Sequence, residues 1–101
     1  MRKSKILYTS ASVEHIKHIA EWYSDINKNL GNRFKENLKI AIESLKTNPF
    51  TNSLRYDEVR FAVTHEFPYA AHYTVDEETF LITIHAVFAF EENPEKWLRD
   101  L

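Results

Sequence analysis

The sequence of 101 residues contains no cysteine. This absence excludes disulfide bonds, thiolate nucleophiles and thiolate metal ligands, and it is compatible with a reducing compartment. Gly31 is the single glycine. Glycine-rich phosphate loops and dinucleotide-binding fingerprints need several glycines at fixed spacing, so neither can be built here. We therefore expect a protein that works without a cofactor.

The sequence also lacks a long hydrophobic run near its start. Arg2, Lys3 and Lys5 precede only the three apolar residues 6–8, which is too short a run for a signal peptide or a membrane span. We predict a cytoplasmic protein with no membrane partner. Because the chain contains neither a linker nor an internal repeat, a single domain over residues 1–101 is expected.

Charge of one sign does not dominate the chain. It carries 13 basic and 15 acidic side chains, with a formal net charge of −2, so the overall charge does not indicate direct binding to DNA. The distribution is uneven, however. Residues 1–75 hold 11 basic and 8 acidic side chains, whereas residues 76–101 hold 2 basic and 7 acidic ones. The basic part of the chain, residues 1–75, is therefore expected to bind an acidic partner.

The first half of the chain shows helical periodicity. Residues 5–9 predict a short strand, and Ser10 or Ser12 is expected to cap the helix that follows. Two amphipathic helices within residues 11–47, joined by a polar turn over residues 27–31, predict a helical hairpin. The apolar stripe of the first helix is Val13, Ile16, Ala20, Tyr23 and Ile26, and that of the second is Phe34, Leu38, Ala41, Ile42 and Leu45.

The second half shows the period of two that is typical of strands. One strand is predicted to run from Val59 to Phe67, where Pro68 ends it. A second runs over residues 69–75, and a loop over residues 76–79 leads to a third over residues 80–88. Asn93 can cap a short C-terminal helix that Trp97 would dock. The predicted fold is therefore α+β: an N-terminal strand, a helical hairpin packed on a small antiparallel sheet, and a short C-terminal helix.

The residue types of the chain raise two kinds of chemistry, metal binding and RNA cleavage. His72 and His85 could share one face of the sheet, but zinc sites usually need three or four converging ligands, so no metal site is predicted. RNA cleavage through the ribose 2′-hydroxyl needs only a base, an acid and a cation that holds the phosphate. The residues that could supply such a set are Arg55, Arg60, Glu66, Tyr69, His72 and His85. Each of them also has a purely structural interpretation, as a packed or ion-paired side chain.

Four sequence features occur together in a recognisable order: Asn48-Pro49 after the second helix, Arg60 on a strand, the turn Phe67-Pro68-Tyr69, and Asn93-Pro94-x-x-Trp97. With them, residues 6–98 resemble the RelE/ParE superfamily of bacterial toxin–antitoxin systems. The resemblance implies a helical hairpin packed on a small antiparallel sheet. It also implies one of two activities, ribosome-dependent mRNA cleavage in the RelE-like branch or inhibition of DNA gyrase in the ParE-like branch. Toxins of both branches are neutralised by a cognate antitoxin.

One departure from the family pattern separates these activities. In the superfamily that this chain resembles, the last strand typically ends in His or Arg just before Asn-Pro or Asp-Pro, and RelE-like nucleases use basic or aromatic groups there on the RNA. This chain has Phe88-Ala89-Phe90-Glu91-Glu92 instead. Carboxylates at a phosphate site repel the substrate. We therefore predict a ParE-like plasmid stabilisation toxin that acts by protein binding, with gyrase as the target that the resemblance implies; the sequence favours binding over catalysis and leaves enzyme activity open.

Two alternatives stay open. One is a RelE-like endonuclease that acts on mRNA at the ribosome, with Arg60, Tyr69 and His85 as its catalytic residues. The other is an inactive relic that only binds antitoxin.

Candidate partner-binding residues follow from the same considerations. Lys35 and Lys39 lie on the predicted second helix, where an acidic antitoxin tail would meet the basic part of the chain. Phe88 and Phe90 form either an apolar anchor for a protein partner or a buried pair beneath Trp97.

Overall fold

The computed structural model describes residues 5–90 and contains two helices and five strands. The predicted α+β class, with an N-terminal strand and a helical hairpin on a sheet, is confirmed. The predicted C-terminal helix, which begins near Asn93, lies outside the described residues. In chain order the elements are β1 (Ile6–Tyr8), α1 (Ser10–Ile26), α2 (Leu30–Glu43) with a 3₁₀ turn (Ser44–Lys46), β2 (Leu54–Tyr56), β3 (Val59–Val63), β4 (Tyr69–Val75) and β5 (Ile82–Ala89).

The sheet has the strand order β1-β5-β4-β3-β2. All neighbouring pairs are antiparallel except β1 and β5, which run parallel, so the sheet is mixed rather than wholly antiparallel as expected. Strand β2 was not predicted from the sequence, because three residues are too few to show a period of two. It is joined to β3 by a tight turn in which Asp57 adopts a φ of 46°.

The first helix is capped by Thr9, not by Ser10 or Ser12 as predicted. The Thr9 hydroxyl accepts a hydrogen bond from the backbone N–H of Ser12 at 3.1 Å, and the Ser12 hydroxyl donates to the Thr9 carbonyl at 2.8 Å. Ser10 is already the first helical residue, and a capping side chain must stand just before the helix. The capped start fixes the direction in which α1 leaves β1.

The core lies between the hairpin and one face of the sheet. The predicted stripe of α2 is confirmed at Phe34, Leu38, Ile42 and Leu45, which are all buried, whereas Ala41 is half-buried. The stripe of α1 was wrong at both ends, because Val13 and Ile26 remain 50% and 61% exposed. On the sheet, the core residues that meet the helices are Ala62, Ala71, Tyr73, Ile82, Ile84 and Val87.

The segment around the Phe-Pro-Tyr turn differs from the prediction. Strand β3 ends at Val63 rather than at Phe67, because the Thr64 hydroxyl donates to the carbonyls of Phe67 and Tyr69 and closes a turn. Because of this turn, the Phe67 side chain lies in the core on the helix side of the sheet. Strict alternation along one strand would place it on the same face as Phe61. An ion pair between Arg33 and Glu66, at 2.7 Å, ties the turn to α2.

The sequence places Gly31 in the loop that connects the helices. In the structure it lies instead in the first turn of α2. A Cβ atom at this position would lie 2.0 Å from the Ser24 hydroxyl and 2.5 Å from the Ala20 carbonyl oxygen. The two helices therefore approach each other more closely than any side chain at residue 31 would allow. The single glycine of the chain sets the spacing of the hairpin.

We expect Gly31→Ala to lower the free energy of unfolding by about 1 to 3 kcal/mol, the usual cost of overpacking. The intrinsic preference of alanine for helices, about 1 kcal/mol, works against this loss. Chemical denaturation measures the change. Adding Ser24→Ala should recover only part of it, because the contact with the Ala20 carbonyl remains. A Gly31→Ala protein that is more stable than the wild type would show that the helices can separate at no cost.

Candidate functional site

The two faces of the sheet carry different groups of residues. One face packs on the helices, and the other holds a second cluster formed by Phe61 and Ala70 with Tyr56, Val59 and Phe90. A bulge separates the two halves of β5. Tyr73 pairs with Ile84 and His72 pairs with Ala86, so His85 has no partner in the ladder. The bulge shifts the alternation of β5 by one residue, which returns Val87 to the helix side.

Arg60 lies on β3 at the helix-facing side, where its side chain is held in place by the segment before β2. Its Nη1 atom donates to the carbonyls of Phe50 and Asn52, and its guanidinium lies 5.3 Å from the centre of the Phe50 ring. The cleft beside it has a volume of about 610 Å³. Four carboxylate residues line that cleft together with Arg60: Glu58, Asp76, Glu77 and Glu78. A phosphate at Arg60 would therefore meet negative charge.

Tyr69 begins β4 and contributes to the core on the helix side. Its ring lies 5.5 Å from the ring of Phe34 and 6.1 Å from that of Tyr23, both in edge-to-face geometry. These are the distances of packed aromatic pairs. Tyr69 stands four residues before Tyr73, which pairs with Arg60. The separation from Arg60 along the sheet is therefore roughly 13 Å.

His85 lies on the opposite side of the sheet from the helices. Its Nε2 atom is hydrogen-bonded to the Thr74 hydroxyl at 2.8 Å, and its backbone carbonyl accepts from the Thr9 hydroxyl at 3.1 Å. The imidazole is exposed. The structure thus does not bring Arg60, Tyr69 and His85 together, since two lie apart on one face and the third lies on the other.

His72 is the buried histidine of the structure, with 1% of its surface exposed. It stacks on Phe61 with ring centres 4.0 Å apart, and its Nδ1 atom is hydrogen-bonded to the Tyr56 hydroxyl at 2.9 Å. Burial lowers the pKa of His72 to about 4, and the nearby His15 adds to this shift. The imidazole is therefore neutral at physiological pH, and it serves the packing of the outer face.

Phe88 and Phe90 are both half-buried on this outer face. The Phe88 ring packs against His15 at 5.0 Å and against His72 at 5.1 Å. The Phe90 ring lies 6.2 Å from Phe61. The structure therefore gives each ring intramolecular neighbours, and Trp97, the expected cover, lies outside the described residues.

His15 has a structural role that the sequence did not reveal. Pairing between β1 and β5 ends at Tyr8 and Ile84, and beyond that point the edge of β5 has no strand neighbour among residues 5–90. The Nδ1 atom of His15 accepts the backbone N–H of Val87 at 3.2 Å. A side chain of α1 thereby satisfies a polar group that an uncovered strand edge would expose.

A groove of about 440 Å³ runs along the outer side of the hairpin. Its floor is apolar and is formed by Val13, Ile16 and Ala20. Its charged rim consists of Lys17, Glu21, Asp25 and Lys35, together with Ser24. Of the two lysines predicted to bind a partner, Lys35 lines this groove, whereas Lys39 is exposed outside its lining.

Within residues 5–90, no group of three or more His, Asp or Glu side chains could hold a metal ion. None of the helices in that part of the chain combines the length and the hydrophobicity needed to cross a bilayer.

The chain is similar to known toxin components. The model of one protein family, described as the ParE toxin of the type II toxin–antitoxin system parDE, matches residues 6–94. None of the curated proteins matches the sequence significantly.

Three solved structures share the fold at low sequence identity. A chain of the chromosomal ParDE system from P. aeruginosa superposes with a TM-score of 0.74 at 15% identity, covering 88% of this chain and 98% of the other. A chain of the intact E. coli RelBE complex gives 0.64 at 16% identity, with the same two coverages. The isolated E. coli RelE toxin gives 0.63 at 17% identity, covering 96% and 98%.

Proposed function

The chain belongs to the ParE toxin family of type II toxin–antitoxin systems, and from this premise we propose that it is a ParE-like toxin that acts by binding DNA gyrase and is silenced by a cognate antitoxin. Both activities are protein binding. They need no cofactor and no assembled set of catalytic side chains.

The observation that carries this proposal is the separation of Arg60, Tyr69 and His85. A nuclease site must hold its acid, its base and its phosphate-binding cation within hydrogen-bonding reach of one substrate. Here Arg60 is bonded to two backbone carbonyls, Tyr69 is packed among core rings, and His85 points away from both. This arrangement supports binding rather than RNA cleavage.

Electrostatics support the same function. RNA binding depends on neutralising phosphates with basic side chains. The cleft at Arg60 instead contains the carboxylates of Glu58, Asp76, Glu77 and Glu78. Moreover, the buried His72 has a pKa of about 4, so it cannot supply a positive charge near neutral pH.

An antitoxin partner is supported by the structural neighbours, which include a ParDE system and a RelBE toxin–antitoxin complex. On this chain the hairpin groove offers such a partner an apolar floor, and Val13 there is half exposed. Exposed apolar surface within a charged rim is typical of protein-binding sites.

Induced expression without antitoxin tests the target. We expect growth to stop, plasmid DNA to lose negative supercoiling, and messenger RNA to stay intact. Purified protein should inhibit the supercoiling reaction of purified gyrase. The variants Tyr69→Phe and His85→Gln are expected to remain toxic, because neither side chain would act on a substrate.

Two results would contradict the proposal. Message cleavage on translating ribosomes with normal supercoiling, abolished by His85→Gln, would establish the RelE-like nuclease with Arg60, Tyr69 and His85 in its site. Normal growth at high levels of folded protein would instead identify an inactive relic that only binds antitoxin.

A further inference from the structure

We propose that His15 is an acid-released cover on the edge of β5. The neutral imidazole accepts the backbone N–H of Val87 and closes the edge there. A protonated imidazole cannot accept, so acid releases the ring and leaves the backbone of β5 open. The device belongs to the sheet itself, and it is independent of the proposed binding to gyrase and to an antitoxin.

The free edge of β5 begins after Ile84, where pairing with β1 ends. Further along the strand, the N–H of Val87 points away from β4 and towards His15. Backbone groups alternate between the two edges of a strand, so those of Ala89 point to the free edge as well. This stretch of β5 therefore presents N–H and C=O groups that no strand within residues 5–90 satisfies.

Such an edge needs protection, because unpaired N–H and C=O groups can pair with another chain. Charged side chains, proline and bulges are the usual means. Residues 86–89 carry no charge and no proline, and the bulge of β5 lies before them, at His85. The opposite edge strand, β2, contains Arg55. His15 thus supplies a cover that β5 does not provide for itself.

The hydrogen bond determines which form of His15 can act as the cover. The Val87 N–H can only donate, so the Nδ1 atom, 3.2 Å from the Val87 nitrogen, must offer a lone pair, and the neutral ring carries its hydrogen on Nε2. A protonated imidazole has hydrogen on both nitrogens. Two N–H groups would then face each other across the edge, and the contact would become repulsive. Protonation of this one side chain is therefore enough to uncover Val87.

The immediate surroundings of His15 do not offset a positive charge. Its half-buried ring packs against Phe88, with the ring centres 5.0 Å apart. His72 lies 5.1 Å from the same Phe88 ring. Burial, and then the charge of the nearby His15, lower the pKa of His72 to about 4. The neighbour of His15 across Phe88 is thus a second imidazole, which cannot stabilise the charged ring.

The other titratable side chains near His15 have partners of their own. On α1, Glu14 and His18 are exposed and lie 3.4 Å from each other. The titratable residue of β5 is His85, which is hydrogen-bonded to Thr74 on the outer face. None of the ion pairs in the described part of the chain includes His15. No carboxylate there holds the charged imidazole at the edge, so the protonated ring is free to turn towards solvent.

Amide hydrogen exchange tests the cover at a single residue. From about pH 7.5 to about pH 5, the range in which histidine side chains gain their charge, the protection factor of the Val87 amide should fall about tenfold relative to that of Ala71. Ala71 is the internal reference, because β4 has strand neighbours on both sides and its amides exchange only when the sheet opens. The nitrogen chemical shifts of the His15 ring report its tautomer and its titration in the same sample. The fall in protection should follow that titration.

Two substitutions of His15 separate its hydrogen bond from its packing. His15→Asn offers an amide oxygen close to the position of Nδ1 and does not titrate, so Val87 should stay protected over the whole range. His15→Phe keeps a ring beside Phe88 but has no acceptor, so Val87 should exchange as fast at neutral pH as it does in acid in the wild type. His65→Gln is the matched control, since it removes an exposed imidazole from the turn after β3, and it should behave like the wild type. Protection at Ala71 shows that each variant is folded.

Several results would overturn the cover. One is a Val87 amide whose protection does not change relative to Ala71 while His15 becomes charged, and another is a neutral His15 with its hydrogen on Nδ1, which could not accept from the strand. Protection of Val87 in His15→Phe, or a loss of protection in acid that His15→Asn retains, would show that another group covers the edge. Inhibition of gyrase and binding of an antitoxin play no part in these measurements, so the proposed function stands or fails separately.

Discussion

Truncating Leu38 or Ile82 to alanine is expected to lower the free energy of unfolding by about 2 to 5 kcal/mol. The two side chains belong to the same core cluster and are 2% and 0% exposed. Removing a buried aliphatic side chain loses its transfer free energy and leaves a cavity that the surrounding structure fills only in part. For a domain of this size, one such change removes a large fraction of the total stability.

The control for this prediction is Ile40, two residues after Leu38 and on the opposite side of the helix. Ile40 is on the same helix as Leu38, but it is 62% exposed, so Ile40→Ala should change the free energy of unfolding by less than about 0.5 kcal/mol. Urea denaturation of the three variants measures the difference. Equal losses for Leu38→Ala and Ile40→Ala would mean that α2 does not present its predicted stripe to the sheet.

Lowering the pH from 7 to 4 is expected to cost the protein about 3 kcal/mol of stability through His72 alone. The pKa of this side chain is about 4 in the folded protein, against an ordinary value of 6.5. A histidine with a lowered pKa is neutral when folded and becomes protonated on unfolding, so acid favours the unfolded state. Its contribution is fully present above pH 6.5, and it is lost as the pH falls from 6.5 to about 4.

Comparing variants isolates the contribution of His72 from that of the carboxylates, which titrate in the lower part of the same range. In His72→Phe the ring stacked on Phe61 is retained but cannot be protonated, so the stability of this variant should fall less steeply between pH 6.5 and 4 than that of the wild type. His65→Gln is the control, because it removes an imidazole from an exposed position outside the stack on Phe61. Its substitution should not remove the steep fall seen in the wild type. Parallel curves for all three proteins would show that His72 is protonated without unfolding.

The position of His72 also argues against a catalytic role for the outer face of the sheet. A buried neutral imidazole bonded to Tyr56 and stacked on Phe61 contributes to packing. Phe88 and Phe90 extend the same cluster. Under the proposed function, partner binding is therefore expected at the hairpin groove, whose lining combines Val13, Ile16 and Ala20 with charged side chains.

The amino-acid sequence by itself determined the α+β class, the helical hairpin, the stripe of α2 and the alternation of β4. Each of these depends on the spacing of apolar residues within one segment, which is a local property. The order of the short motifs around Arg60 and Phe67-Pro68-Tyr69 was enough to indicate the toxin superfamily. The departure at Phe88-Ala89-Phe90-Glu91-Glu92 also came from the sequence, and it is one of the grounds on which we propose the ParE-like activity.

Only the tertiary structure decided which side chains share a surface. The bulge at His85 shifts the alternation of β5, and the turn closed by Thr64 redirects Phe67. Both depend on pairing with another strand or on a local reversal, and a one-residue change in register moves every following side chain to the other face. For the same reason the separation of Arg60, Tyr69 and His85 could not be foreseen. The close contact at Gly31 was hidden as well, since a glycine near a predicted turn has the same local pattern whether it permits a turn or lets two helices touch.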